Sequence, residues 1–189
     1  MGQPKESLAL GSNTLLGHTV DILVQCTSPV VVIARDNDQD LPPLHPEARI
    51  TFDSELDEGP MIGLLAGLKE VEADCDAVFV TGCDTPFLSR QAIDWMAGQL
   101  ENHDVVMPEI DDRLQPLSAI YRTRVLPTVK CLIAEGIRTP RSLASRCNTR
   151  ILSSAEIDAF DPHRKFLQNI NSPGDYQTAL RQFNNRNKA

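Results

Sequence analysis

The sequence predicts a three-layer α/β domain in which helices cover both faces of a mostly parallel sheet. Short apolar runs, typical of buried strands, alternate with longer stretches whose apolar residues recur at helical spacing. Glycine and proline separate many of these segments. Strands that alternate with helices favour a parallel sheet, because each helix returns the chain to the same edge. We expect residues 1–189 to form one domain, since 189 residues can bury a sizeable core.

The elements before residue 53 follow from apolar spacing and from proline. Residues 14–26 place apolar side chains at helical intervals, and Pro29 ends that helix. Residues 30–34 are all apolar and predict a strand. The polar segment 36–46 contains prolines and predicts a loop, and a brief strand follows at 49–52.

The middle of the chain predicts a helix, a buried strand and a turn. Residues 61–71 place apolar side chains on one helical face, and Gly63 and Gly67 leave a flat patch for close packing. The apolar run 77–80 predicts a buried strand, and Asp84 follows it in an Asp-Thr-Pro corner.

The second half of the chain predicts further alternating helices and strands, with less regular pairing of the strands. The predicted helices are 89–100, 124–135 and 140–146, with a C-terminal helix that opens at Ser172-Pro173; the predicted strands are 104–107, 117–121, 150–152 and 165–170. Serine before proline is typical of a helix start. The strands near 117 and 150 lack a clear crossover, so we expect some antiparallel pairing there.

Composition and charge exclude several classes of function. The net charge of −8 and the pI near 4.9 argue against a basic face for nucleic acid or anionic membrane. No window approaches the ~18 apolar residues of a membrane span, and the first residues do not resemble a signal peptide. Five cysteines without a C-x-x-C pattern and four scattered histidines give little support for zinc, disulfides or a Cys-His nucleophile. We expect a cytoplasmic protein.

Asp84 is the first candidate for chemistry. In an open α/β sheet, ligands bind at the carboxyl ends of the strands. Mg²⁺ favours one or two carboxylates together with water and substrate phosphates. Asp84 can therefore hold Mg²⁺ against a phosphate, or it can simply cap the turn. From these residues alone, both interpretations stand.

Four more clusters fall where elements are predicted to begin or end. Gly2 allows close backbone approach, and Lys5 offers a point charge for phosphate. Asp53 follows a strand, and Gly59 opens the turn into the helix that carries Gly63. Each has a plainer interpretation, because a lysine near a terminus is usually solvated and a strand–loop–helix connection is common.

The other two clusters carry amides. Gln115 enters an apolar strand, where its donor–acceptor pair can bind an amide-like edge or cap the strand. Asn169 and Asn171 leave a predicted strand just before a helix, a position that also suits asparagine in a turn.

Taken in order, these clusters resemble the molybdenum cofactor guanylyltransferases. The matching motifs are MG-x-P-K, FDS with EGPMIGLLAGL, GCDTPFL, QPLSAIYR and FLQNINSPGDY, which together span residues 1–180. The resemblance implies a Rossmann-like nucleotidyltransferase fold that uses GTP and Mg²⁺. It implies transfer of GMP to the molybdopterin phosphate with release of pyrophosphate. Molybdoenzymes and other cofactor-biosynthesis proteins are then candidate partners.

The resemblance also assigns roles. Lys5 and Asp84 would be catalytic, with Lys5 on the GTP phosphates and Asp84 on the nucleotide and Mg²⁺. The nucleotide site would further include four residues: Gly2, Asp53, Gly59 and Gly63. The pterin would be faced by three amides: Gln115, Asn169 and Asn171. The acceptor phosphate attacks the α-phosphorus itself, so positioning and charge neutralisation carry the catalysis.

Two departures from the family pattern stand out. The family's first strand and glycine-rich loop, LAGG-x-S-x-RMG-x-x-K, match only from the MG onward, so we expect a missing strand in the middle of the sheet and a native start upstream. Ile33 stands where the family often has an asparagine that contacts the nucleotide.

Three alternatives remain open at this point. They are a cytidylyltransferase of the same cofactor pathway, a sugar-phosphate nucleotidyltransferase, and a truncated, non-catalytic protein that binds molybdopterin or a partner enzyme.

Overall fold

The computed structural model describes residues 4–36, 38–52 and 59–186. Its strands are β1 (Ala9–Leu10), β2 (Asn13–Thr14), β3 (Val30–Ala34), β4 (Ala48–Phe52), β5 (Ala77–Thr81), β6 (Val105–Ile110), β7 (Arg113–Leu114), β8 (Ser118–Arg122) and β9 (Thr149–Leu152). Its α-helices are α1 (Leu15–Leu23), α2 (Pro60–Val71), α3 (Arg90–Gly98), α4 (Leu126–Ala134), α5 (Ser154–Phe160) and α6 (Pro173–Arg186). Short 3-10 helices cover Lys5–Ser7, Thr123–Val125, Pro140–Ser145 and Lys165–Leu167.

The helix starts follow ordinary capping chemistry. The Thr14 hydroxyl accepts a hydrogen bond from the Gly17 N–H at the start of α1, and Ser89 does the same for Ala92 in α3. Helix α2 has Gly59 before it at φ +89° and Pro60 in its first turn. Only glycine adopts that φ without cost, so the Gly-Pro pair fixes where α2 begins.

The sheets are mixed, and the prediction of a mostly parallel sheet is not confirmed. The larger sheet runs β5-β8-β6, with β7 and β9 both paired to β6. Strand β8 is antiparallel to β5 and β6, as expected for the region near residue 117. Near residue 150 the outcome differs, because β9 pairs with β6 in parallel. Strands β3 and β4 form a separate parallel pair, and β1 and β2 a small antiparallel one.

Helices cover both faces of the larger sheet, so the three-layer prediction is confirmed. Alternate residues of a strand point to opposite faces. Val105 and Met107 of β6 thus pack with α2 and α4, whereas Val106 packs with α3 and α5. The stacked rings of Trp95 and Phe160, 4.5 Å apart, close the second layer.

A third apolar cluster ties the N-terminal segment to helix α6. It contains Leu8, Leu10, Leu15, Phe87, Ile170 and Ala179. The Tyr176 hydroxyl adds a 2.6 Å hydrogen bond to the Ala9 carbonyl. This cluster brings residues 5–10, the turn after β5 and the start of α6 to one edge of the molecule.

The predicted strand 165–170 is wrong. Lys165–Leu167 is a 3-10 helix, because Arg164 adopts a left-handed φ of 48° and the Asp161 carboxylate accepts the N–H groups of Lys165 and Phe166. Phe166 is still buried in the core, which explains why the segment is apolar. Helix α5 was not predicted; the reciprocal hydrogen bonds of Ser153 and Glu156 cap it.

Helices in the described parts of the chain lack the combination of length and apolar character that crossing a membrane requires.

Candidate active site

Lys5, Asp84 and Asn171 meet at one edge of the molecule although they are far apart in sequence. The Lys5 ammonium lies 3.0 Å from Asp84 Oδ2 and 3.1 Å from Asn171 Oδ1. The side chains of Lys5 and Asp84 retain 35% and 25% of their exposure, so both are half-buried and open to a ligand. We call these three residues the lysine–aspartate cluster.

Strand β5 and the turn after it position Asp84. The Thr85 hydroxyl donates to the Gly82 carbonyl at 3.1 Å, and the Ile170 N–H donates to the Asp84 carbonyl at 2.8 Å. Thr85 is buried, which anchors the corner. The Asp84 carboxylate is thus held at the end of β5 by a fixed backbone, as the sequence predicts.

Gly82 leaves room for that carboxylate. A Cβ atom placed on Gly82 would lie 2.6 Å from Asp84 Oδ1, well inside van der Waals contact. A side chain at this position would therefore force the carboxylate to move.

We expect Gly82→Ala to lower the nucleotidyl transfer that the sequence predicts by about 10- to 100-fold, because small displacements of a reacting group have effects of that size. Steady-state kinetics and thermal unfolding on the same samples measure this. Gly98→Ala is the matched control, since a Cβ on Gly98 meets nothing within 4 Å. Equal activity of the two variants would contradict the positional role of Gly82.

The Asn171 segment is ordered by Asp175. Asp175 Oδ2 accepts the N–H groups of Asn171 and Ser172 at 3.0 and 2.8 Å, and the Ser172 hydroxyl accepts the Asp175 N–H. These hydrogen bonds, with a smaller contribution from the Lys5 charge, hold the pKa of the Asp175 carboxyl below its usual value. The result is a capping arrangement at the start of α6 that fixes the backbone of Asn171.

Gln115 lies in the connection between β7 and β8. Its side-chain amide donates to the Arg113 carbonyl at 3.0 Å, and none of the hydrogen bonds of the described residues joins it to the lysine–aspartate cluster. Pro116, the residue after Gln115, is held by the buried Tyr121 hydroxyl, which donates to its carbonyl at 2.8 Å. Burial raises the pKa of Tyr121, so this donor stays protonated.

Asn169 and Asn171 diverge, although the sequence groups them. Asn169 is exposed and borders a cleft of about 720 Å³ beside α6, whose lining also includes Pro86 and Gln168. Only Asn171 turns toward Lys5. Side chains two residues apart point to the same side in a regular strand, but they need not do so in an irregular segment. The spacing of the two asparagines therefore does not predict their directions.

Gly59, which precedes α2, and Gly63, within it, have different surroundings. A Cβ on Gly59 would come within 3.3 Å of the Arg138 carbonyl, so Gly59 packs against the protein. A Cβ on Gly63 would face Ile33 at 3.9 Å, on the side of α2 that approaches β3. Gly2 and Asp53 lie outside the described residues, and their predicted roles stay predictions.

Two contributors were missed as site residues. Asp175 belongs to the NINSPGD motif, and its spacing of three after Ser172 is a capping signal that could have revealed it. Gly82 precedes Asp84 by two residues, and no sequence pattern shows the close approach. Cys83 lies beside Asp84, and burial raises the pKa of its thiol to about 11, so the thiol stays protonated.

The donor set fits Mg²⁺ bound together with a phosphate ligand. The described residues contain no group of three or more His, Cys, Asp or Glu side chains placed to hold a metal. Mg²⁺ does not need one, since it takes one or two carboxylates and completes its shell with water and phosphate oxygens. Asp84 would supply the carboxylate, and the side-chain oxygen of Asn171, which also accepts from Lys5, is a further oxygen ligand beside it.

The family model and the curated relatives that match this chain agree on one family. The family described as MobA-like NTP transferase domain matches residues 1–150. A "Probable molybdenum cofactor guanylyltransferase" of Bacillus cereus is 26% identical over 189 residues, covering 97% of this chain and 91% of the relative. One from Bacillus thuringiensis is 27% identical over 187 residues, covering 97% and 91%.

Solved structures share the fold. Molybdopterin-guanine dinucleotide biosynthesis protein A from Archaeoglobus fulgidus superimposes with a TM-score of 0.76 at 22% identity, covering 97% of this chain and 92% of that one. The 2-C-methyl-D-erythritol 4-phosphate cytidylyltransferase from Thermus thermophilus reaches 0.70 at 17% identity, covering 97% and 95%. At these identities the likeness establishes the nucleotidyltransferase-like fold.

Proposed function

The chain belongs to the MobA-like NTP transferase family, and from that premise we propose that it transfers GMP from GTP to the phosphate of molybdopterin. The products would be the guanine dinucleotide cofactor and pyrophosphate. It is an enzyme of the nucleotidyltransferase class, similar to the molybdenum cofactor guanylyltransferases. GTP, molybdopterin and Mg²⁺ are the ligands we propose.

The observation that carries the proposal is the lysine–aspartate cluster. One cation and one carboxylate lie 3.0 Å apart at the carboxyl end of β5, half-exposed and backed by a fixed turn. A triphosphate needs positive charge and a metal ligand side by side. A structural ion pair alone does not require the additional Asn171 contact or the space that Gly82 leaves.

The residues act through position and charge. A phosphate oxygen of molybdopterin attacks the α-phosphorus of GTP, the bond to the bridging oxygen breaks, and pyrophosphate leaves with the electron pair. Lys5 would bind the phosphates and offset the charge that develops on the leaving group. Asp84 and Asn171 would hold Mg²⁺, which supplies further charge neutralisation when bound.

The Lys5–Asp84 ion pair could separate when metal and nucleotide bind at the site. Asp84 and Asn171 both accept hydrogen bonds from the Lys5 ammonium. If Asp84 held a cation, the Lys5 ammonium would be free to turn toward the phosphates. The pair is partly exposed, so separating it costs only about 0–1 kcal/mol.

A transfer assay tests this proposal. The chain, molybdopterin and Mg²⁺ are incubated with GTP or with CTP, and the dinucleotide is measured by mass spectrometry. We expect the guanine product, and pyrophosphate in equal amount. Cytosine product alone would support a cytidylyltransferase, for which the Thermus fold likeness leaves room.

No product with either nucleotide, together with retained binding of molybdopterin, would support the non-catalytic alternative. Delivery of the finished cofactor to a molybdoenzyme stays a prediction.

A further inference from the structure

The imidazole of His18, on helix α1, contacts the turn that carries Asp84. Its Nε2 atom lies 3.2 Å from the carbonyl oxygen of Pro86, which follows Asp84 by two residues. A carbonyl oxygen only accepts hydrogen bonds, so this contact requires a hydrogen on Nε2. Pro86 is a buried residue, and buried carbonyl groups are almost always paired. His18 therefore supplies a hydrogen bond to the buried part of the turn.

The same imidazole contacts helix α6. The ring centroids of His18 and Phe183 lie 5.1 Å apart and the ring planes are perpendicular, which is a favoured geometry for aromatic pairs. The Phe183 ring also contacts Gly11 closely, because a Cβ atom at position 11 would lie 2.8 Å from it. The position of the Phe183 ring is therefore restricted, and this ring in turn restricts the orientation of the imidazole.

Helix α1 gives His18 a fixed base. Leu15, one turn earlier on the same side of the helix, is fully buried in the third apolar cluster with Phe87 and Ala179. The buried Thr19 hydroxyl donates to the Leu15 carbonyl at 3.0 Å. His18 thus lies at the polar border of a cluster in which α1, the turn after β5 and α6 already meet.

The turn that carries Asp84 is held from two directions. On one side, the Ile170 N–H donates to the Asp84 carbonyl at 2.8 Å. On the other, the His18 ring donates to the Pro86 carbonyl. The helix that His18 contacts through Phe183 begins at Pro173, two residues after Asn171. The imidazole is therefore linked to both segments that supply oxygen atoms to the lysine–aspartate cluster.

We propose that His18 is a positioning residue for the Asp84 carboxylate. By donating from Nε2 to the Pro86 carbonyl while it packs on Phe183, it fixes the turn after β5 relative to α6. It acts through the backbone of the turn and not by contact with metal or nucleotide. Insofar as Asp84 binds Mg²⁺, the inference rests on the proposed function.

A role in packing alone is the plainer alternative. An apolar ring at position 18 would fill the same space beside Phe183 and would serve that role as well. The hydrogen bond to Pro86 distinguishes the two roles, because only a donor at this position can hold the carbonyl of the turn.

Two substitutions separate the hydrogen bond from the ring contact. His18→Phe keeps a ring beside Phe183 and removes the donor. His18→Gln loses the ring and keeps a side-chain N–H at about the reach of Nε2. Val129→Ala is the control for lost stability, because Val129 is fully buried in a different apolar cluster, on α4. Thermal unfolding should show that His18→Phe and Val129→Ala are both destabilised.

Amide exchange at Ile170 reports whether the turn keeps its place, since this N–H is bonded to the Asp84 carbonyl. Its rate is divided by that of Val106, which lies in β6 between two paired strands. We expect His18→Phe to raise this ratio by about 10-fold, as leaving a buried acceptor unpaired predicts. His18→Gln and Val129→Ala should keep the ratio of the unmodified chain.

The Mg²⁺ dependence of GTP binding, measured by calorimetry, then reports the carboxylate. We expect His18→Phe to need about 10-fold more Mg²⁺ for the same gain in GTP affinity, because a small displacement of a ligating group has effects of that size. His18→Gln should restore the response. Val129→Ala should leave it unchanged below its unfolding temperature, because its defect is confined to stability.

Three results would overturn the inference. The first is a nitrogen NMR spectrum in which His18 Nε2 carries no hydrogen. The second is an Ile170 ratio in His18→Phe equal to that in Val129→Ala, and the third is an unchanged Mg²⁺ response in His18→Phe. Absence of Mg²⁺-dependent GTP binding in the unmodified chain would instead overturn the proposed function. The Ile170 ratio needs no ligand, so it would then decide by itself whether His18 positions the turn.

Discussion

Asp84→Asn is expected to lower metal-dependent GMP transfer by about 100- to 1,000-fold, the usual effect of removing one charge-stabilising group from an active site. The change removes the negative charge that holds the cation and keeps the size of the side chain. Steady-state rates measured across a Mg²⁺ titration show the loss. The fold should persist, because the ion pair with Lys5 is partly exposed and contributes only about 0–1 kcal/mol.

Asp94→Asn is the matched control. Asp94 forms an exposed ion pair with Arg90 on α3, with 57% of its side chain accessible. It should leave transfer unchanged. Full activity of Asp84→Asn at ordinary Mg²⁺ concentrations would remove Asp84 from the metal site.

Lys5→Ala is expected to weaken GTP binding by about 10- to 100-fold, since hydrogen bonds to charged groups contribute about 1.5–3 kcal/mol. Lys5 makes no contact in the buried clusters of the core, so thermal unfolding should change little. Calorimetric titration with GTP measures the affinity. The loss should shrink at high salt, because part of the attraction is screened.

Lys130→Ala provides the comparison. Lys130 is exposed on α4 and has no part in the lysine–aspartate cluster. Equal GTP affinity for Lys5→Ala and Lys130→Ala would show that Lys5 lies outside the phosphate site.

Local patterns predicted much of the secondary structure. Apolar runs located β3 and β5, and helical spacing located α1, α2 and α3. Strand pairing was harder to predict, because the parallel or antiparallel sense depends on contacts distant in sequence. The segment 165–170 shows another limit: Phe166 is buried, but hydrogen bonds from Asp161 turn the backbone into a 3-10 helix.

The candidate site was predicted mainly from the order of motifs along the chain, and less from the chemistry of the individual residues. Lys5 had no local signal stronger than that of any terminal lysine, and only its contact with Asp84 in the structure gives it a physical role. Asn171 was grouped with Asn169, yet the hydrogen bonds of Asp175 turn it toward Lys5. The contribution of Gly82 depends on the close approach of Asp84 Oδ1, which would lie 2.6 Å from a Cβ atom at position 82, and only the three-dimensional structure shows this approach.

Calorimetric binding of GTP with and without Mg²⁺ tests most directly whether the lysine–aspartate cluster is a metal–nucleotide site. The titration is run on the 189-residue chain and on Asp84→Asn, with CTP as the control nucleotide. We predict GTP binding that strengthens with Mg²⁺ in the unmodified chain, loses its Mg²⁺ dependence in Asp84→Asn, and exceeds binding of CTP. GTP binding with the same Mg²⁺ dependence in both proteins would contradict the account.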